Sequence, residues 1–388
     1  MKYLIPTLKR EIERMVSRPL YLLMLIVLPL LSFSIFWLMF SEGVPKNLPV
    51  AVFDQDKSSF SRQAVRMINA TSSIEIKHRV TSLEEGKQLL LSGKSYALIM
   101  IPKNLEKDVL SGFSPSIVNF YNNEFLLAGS MISRDINSVV TTLSKSFNVS
   151  IRLRKGEMPA AALNNIEPVR IISHTLFNPY LNYFYFLSGT LQPTLLQIFI
   201  ITMTIFALGS ELKDGTAGSL LESSNQSILF ALLGKLLPYT LIYSLLGIFM
   251  NTFLFMFFKA PVAGSLGLIL VSTIIFVLAY QAIGLFILAL TANLRMSLSM
   301  AGFYSAPAFA FVGVTFPLMG MPLLAKIWSY LLPLTYYIKI FIDQSMKGAP
   351  INVSLPQLSI MFCFLIFIPL SIPRLSKILK NSEYWGRS

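Results

Sequence analysis

The sequence predicts an α-helical membrane protein of six transmembrane helices with a mixed α/β domain inserted after the first, and three observations carry that prediction. Hydrophobic residues make up 54% of the chain and charged residues only 13%. The mean hydropathy of +0.63 lies above that of water-soluble chains. Six runs are apolar over roughly the 20 residues needed to cover about 30 Å of hydrocarbon, namely 20–40, 187–209, 229–257, 265–291, 298–318 and 356–373. Between the first two lie about 145 residues of ordinary polar composition, enough for a folded domain with its own core. The expected division is a surface helix and first span over 1–40, an extracytoplasmic α/β domain over 41–185, and spans two to six over 186–388.

The N-terminal segment is amphipathic. Leu4, Ile5, Leu8, Ile12, Met15 and Val16 gather within about 120° of arc at 100° per residue, with Lys2, Lys9, Arg10, Glu13 and Arg14 opposite. It is expected to lie along the inner membrane surface until Pro19 turns the chain upward. Arg10, Glu13 and Arg14 on its polar side are candidates for touching a cytoplasmic partner, the plainer reading being a topogenic anchor. The apolar run that follows exceeds a signal-peptide core and no small-x-small site ends it, so it is read as a retained span. Lys and Arg cluster before the first span and, as Arg374, Lys377, Lys380 and Arg387, after the last. That bias puts both termini in the cytoplasm, as an even number of spans requires.

Short β-rich runs mark the inserted domain at 48–54, 73–80, 96–102 and 116–121, with helical patterns at 58–70, 83–92 and 103–110 between them. Val50, Val52, Ile74, Ile76, Leu98 and Met100, at alternate strand positions, are its expected core. A long helix from Glu124 to about Lys155 is expected to stand out as a stalk. The 16 basic and 12 acidic residues of 41–185 leave +4 of the chain's +13 there. The remaining excess sits beside the spans, where it suits anionic headgroups rather than nucleic acid.

Several chemistries are excluded at this level. Cys363 is the only cysteine and lies in the last span, so no disulfide braces the inserted domain. His78 and His174 lack companions at metal-ligand spacing, and no Ser-His-Asp arrangement presents itself. "SGKS" at 92–95 lacks the glycine of a phosphate loop, Gln88 standing in its place. No Asp or Glu sits in a span centre, as ion-coupled carriers would need. Uphill transport would therefore draw its energy from another chain.

The polar loop "GSELKDGTAGSLLESSNQS" over 209–227 is the most informative stretch. Glu211 and Asp214 precede a turn at Gly215, and the following segment can form a short helix showing Leu220 and Leu221 on one side, an apolar knob for a partner's groove. Glu211, Gly215, Thr216, Leu220 and Leu221 follow the E-x-x-x-G-T-x-x-x-L-L pattern, and here the chain resembles the permease subunit of type-2 ABC exporters, although the proline usual a few residues on is absent. "VAVFDQDKSSFSRQ", "FNPYLNYFYFLSGTLQP" and "GVTFPLMGMPLLAKIWSYLLPLTYYIKIF" extend the resemblance, to the subgroup with a large first loop, over nearly the whole chain.

The resemblance implies a coupling helix within 210–227 that includes Asp214, and a re-entrant hairpin over 317–345 carrying Pro317, Pro322, Pro333, Tyr336 and Tyr337. It implies no cofactor in this chain, with ATP and Mg on two copies of a partner ATPase. It further implies a second permease copy or close paralogue, surrounding lipids, a periplasmic adaptor for the inserted domain, and a bacterial inner-membrane location. The substrate would be lipophilic, lipid-like or drug-like. The rival readings are a receptor or scaffold that transports nothing, and a secondary carrier.

Overall fold

The computed structural model describes residues 3–40, 43–111, 113–122, 126–159 and 182–386. The chain separates into two compact units, one of Met1–Gly43 with Thr175–Ser388 and the other of Val44–His174. Lys2, Glu124, His174, Arg387 and the start of the "FNPYL" motif lie outside the described residues.

Helix α1 (Leu4–Ser17) ends where Arg18 turns extended, at φ −117° and ψ 112°. Pro19 imposes that conformation on its predecessor and then occupies the first turn of α2 (Pro19–Phe40).

In the inserted unit the elements run β1 (Leu48–Asp54), α3 (Ser59–Asn69), β2 (Ile74–Arg79), α4 (Leu83–Leu91), β3 (Ala97–Ile101), α5 (Leu105–Leu110), β4 (Val118–Tyr121) and α6 (Leu126–Arg154). Ser58 and Ser82 cap α3 and α4 by accepting from the backbone N–H groups of Ser61 and Glu85. The sheet order is β2-β1-β3-β4, parallel except for β4. Val50, Val52, Ile74, Ala97, Ile99 and Ile101 face the main core with α3 and α6.

Two expectations change here. Leu98 is buried on the opposite sheet face with Ala51 and Val80, and Met100 is only half-buried. β3 reads "ALIMI" and is covered on both sides, so alternation could not assign its faces. Nor is α6 a free stalk. Its 29 residues extend about 43 Å, but Ala128, Ile132, Ile136, Val139 and Leu143 pack it into the domain core.

The helical unit continues with α7 (Tyr183–Lys213), α8 (Ala217–Ser223), α9 (Ile228–Met256) and α10 (Leu266–Thr291). The short helices α11 (Leu294–Ser305), α12 (Ala308–Phe311), α13 (Leu323–Tyr330) and α14 (Pro333–Ile342) then lead to the long helix α15 (Ile351–Lys380). Among the described residues five helices are long and apolar enough to cross a membrane: α2, α9, α10, α15 and, over Phe184–Lys213, α7. The run expected as a single span over 298–318 is instead α11 and α12, interrupted at Pro307, whose ring cannot continue the helix and whose nitrogen donates no hydrogen bond.

Two apolar clusters define the ends of this unit. One joins Leu212, Leu220, Leu221, Leu288, Ala292 and Leu379. The other joins Phe184, Leu254, Ile269 and Phe341, with Trp37 and Phe40 packed against them. From Leu294, packed against Gly209, the chain climbs through α11 and α12. It reaches the far end again at Gln344, which accepts from the backbone of Gly264 and Ser265. On the way the turn between α13 and α14 sits deep in the bundle. Tyr304 donates to the carbonyl of Leu331 at 2.7 Å, and Leu334 N–H points at the Tyr280 hydroxyl at 3.4 Å, 14 residues into α10.

Candidate functional site

Where α1 crosses α9, the two backbones approach closely. A Cβ on Gly234 would come within 2.7 Å of Thr7 and 3.3 Å of the Leu8 nitrogen, so glycine is what permits the contact. One residue on, Lys235 is fully buried. Its ammonium donates to Glu11 at 2.5 Å and to Glu211 at 2.7 Å, while the Tyr239 hydroxyl donates to the other oxygen of Glu11 at 2.5 Å. Both carboxylates are as buried as the lysine.

Glu211, in the last turn of α7, is the hub of this cluster. Arg10 holds it through two parallel bonds of 2.8 and 2.9 Å, the fork geometry that suits a carboxylate. Arg14 pairs with it as well, and the Thr216 hydroxyl donates to it across the turn. Arg14 also reaches Ser210 and Asp214 at 3.0 and 3.1 Å, and Arg18 bonds Asp214 at 3.0 Å. Burial alone would depress the Arg14 guanidinium, but Glu211 first, then Tyr21 and Glu11, hold it above its ordinary value. Four cations and three carboxylates thus bind α1, the end of α7, the loop and α9 into one structure.

The loop itself turns at Gly215, whose φ of +68° favours glycine. Leu220 and Leu221, expected to face a partner, point inward at 0% and 3% exposure and pack against α9, α10 and α15. Two apolar side chains beside an apolar bundle gain more from its core than from water. The faces left open belong to Lys213, Asp214, Ser219, Glu222, Asn225 and Gln226. On α1, Arg10 and Arg14 join the cluster, whereas Glu13 stays exposed beside Lys9 at 4.0 Å.

The second predicted group lies elsewhere in the unit. Pro317 and Pro322 precede a single 3-10 turn and α13, and Pro333 starts α14. Tyr336 donates to the Tyr330 carbonyl at 3.0 Å. Tyr337 is buried, its hydroxyl 3.0 Å from the Asn251 amide and 3.1 Å from Thr273, so it tethers α14 to α9 and α10.

Sequence reasoning did not pick out Glu11 or Tyr239, and it did not pair Lys235 with Glu211. The available signal was a lone lysine in an apolar helix, which must find a carboxylate to stay charged. Among the described residues no group of three or more His, Cys, Asp or Glu could hold a metal ion.

The family model described as "ABC-2 family transporter protein" matches residues 19–371. The protein named "Probable multidrug ABC transporter permease YbhR" from Escherichia coli (strain K12) is 19% identical over 346 residues, 89% of this chain and 90% of that protein. Its namesake from Escherichia coli O157:H7 aligns with the same identity and coverage.

Proposed function

Because the chain belongs to the ABC-2 transporter family, a permease family without an ATPase domain of its own, we propose that it is the membrane subunit of an exporter powered by ATP hydrolysed on a separate ATPase. The observation that carries this reading is the buried charge cluster on Glu211. A force applied to the 210–227 loop reaches α1, α7 and α9 together, because Arg10, Arg14 and Lys235 all end on the same carboxylate. Leu220 and Leu221 anchor α8 to its own bundle. The ATPase therefore meets the outward side of the loop, at Ser219, Glu222 and Asn225.

In this mechanism two ATPase copies close on ATP, carry the loops of two permease copies with them, and tilt α7 and α9 so that a lipophilic, lipid-like or drug-like substrate leaves toward the far side. The "multidrug" description of the relative supports the drug-like arm. The interrupted path through α11 and α12 supplies a sixth crossing, α13 and α14 form the re-entrant hairpin, and the inserted domain lies outside the cytoplasm of a bacterial inner membrane, where a periplasmic adaptor can reach it.

Glu222→Arg with Asn225→Arg tests the docking face. Both side chains are exposed, so the variant is expected to insert and fold as wild type yet lose copurification with the ATPase, or lose stimulation of its hydrolysis by at least tenfold. Wild-type ATPase association and wild-type export in that variant would refute the assignment.

A further inference from the structure

We infer that the inserted domain carries a binding site for a phosphate-bearing ligand with an apolar body, at the carboxyl ends of β1 and β2. This site is independent of the export reading.

A hollow of about 470 Å³ opens there, within the size range of small-molecule sites. Its walls carry Lys57, Arg62, Arg66 and Arg79, with Asp54 as the one acidic residue. The Asp54 carboxylate is already committed, accepting from the backbone of Asp56 and Lys57 at 3.0 Å and from the Ser61 hydroxyl at 2.8 Å. The cations are not. Arg62 is steadied by donating to the Lys57 carbonyl at 2.6 Å, which leaves the rest of its guanidinium open. Arg66 and Arg79 have no ion pair or side-chain hydrogen bond among the described residues. Arg134 and Arg152, by contrast, pair with Asp135 and Glu157.

Like charges four apart on one helix face repel, and Arg62 and Arg66 on α3 are so placed while Arg79 converges from β2. An anion of two or more charges relieves that repulsion. Guanidinium groups match phosphate oxygens in pairs. The hollow opens beyond the carboxyl ends of β1 and β2, which run parallel. The apolar part of the ligand follows from the floor. Val52, Val65 and Val80 line the hollow and are nearly solvent-free, and the volume exceeds what a bare phosphate fills.

Two sources could present such a group, a phospholipid headgroup or a soluble phosphate ester. Full-length protein in a neutral detergent is titrated calorimetrically, at constant ionic strength, with dioctanoyl phosphatidic acid, whose phosphomonoester can carry two negative charges, and separately with inorganic pyrophosphate. Binding is expected to weaken at least tenfold in Arg66→Gln/Arg79→Gln, which removes two exposed and unpaired cations and leaves the core intact. Lys87→Gln/Lys94→Gln, a matched loss of charge elsewhere on the same domain, should bind as wild type. Binding of the lipid marks a headgroup site, and binding of pyrophosphate alone marks a soluble ligand. The inference is overturned if neither probe binds, if the double arginine variant binds as tightly as wild type, or if the lysine control weakens equally.

Discussion

Lys235 is tolerable inside an apolar helix because two carboxylates meet it, and each of those has further donors. Glu11 has the Tyr239 hydroxyl, and Glu211 has Arg10, Arg14 and Thr216. Removing one partner of a buried pair costs about 3–5 kcal/mol, whereas replacing both with apolar groups of similar size can be nearly neutral. Lys235→Met alone strands Glu11 with a single hydroxyl, so a loss of about 3 kcal/mol is expected from denaturant unfolding in detergent. Adding Glu11→Gln should recover at least half of it; strictly additive losses would show that the two side chains are not energetically coupled. Beforehand Glu211, Arg10, Arg14 and a lone lysine in an apolar run were legible, but not their pairing. Lys235 and Glu11 lie 224 residues apart, and Glu11 stands beside Arg10 on a helix whose polar side was read as a surface for a cytoplasmic partner.

Among the elements, those governed by local chemistry were readable and those governed by packing were not. The four strands and their connecting helices fall within a residue or two of expectation, because Ser58 and Ser82 cap α3 and α4 and the β-rich runs are short. The facing of β3 was not readable, since both its sides are covered, nor was the docking of α6, whose apolar residues look alike whether they meet a core or another protein. On α1 the apolar arc was readable, and the inward contacts of its polar residues were not. Thr7 and Glu11 are buried by α9, while Ile5, Ile12 and Val16 are exposed. That docking depends on Gly234. In Gly234→Val the added carbons meet Thr7 and the Leu8 backbone, and α1 is expected to lift. Limited trypsin digestion in detergent should then cut after Arg10 or Arg14 at least tenfold faster than in wild type. Unchanged protection would mean that α1 is held by the ion pairs alone.

For the whole molecule, the decisive geometry is that the first and last helices meet at one end of the bundle. Thr7 of α1 is 3.2 Å from Ser223 of α8, Leu375 and Leu379 of α15 share a cluster with Leu220, and the Gly386 amide donates to the Leu212 carbonyl at 2.9 Å. Five long helices alone would leave the two ends of the chain on opposite sides of a membrane. Under the proposed topology their meeting marks an even number of crossings, with the chain between Leu294 and Gln344 travelling the length of the bundle in pieces. Six crossings, with the fifth made in pieces by α11 and α12 rather than by one continuous helix, is accordingly the topology we propose. Single cysteines test it once Cys363, which is exposed, is replaced by Ser. At Asp214 and Asn381 they should be labelled by an impermeant thiol reagent only after the cytoplasmic face is opened, and at Lys103, in the inserted domain, from intact cells. Labelling of Asn381 from the same side as Lys103 would mean that α11 and α12 do not cross, and the five long helices would be the complete set.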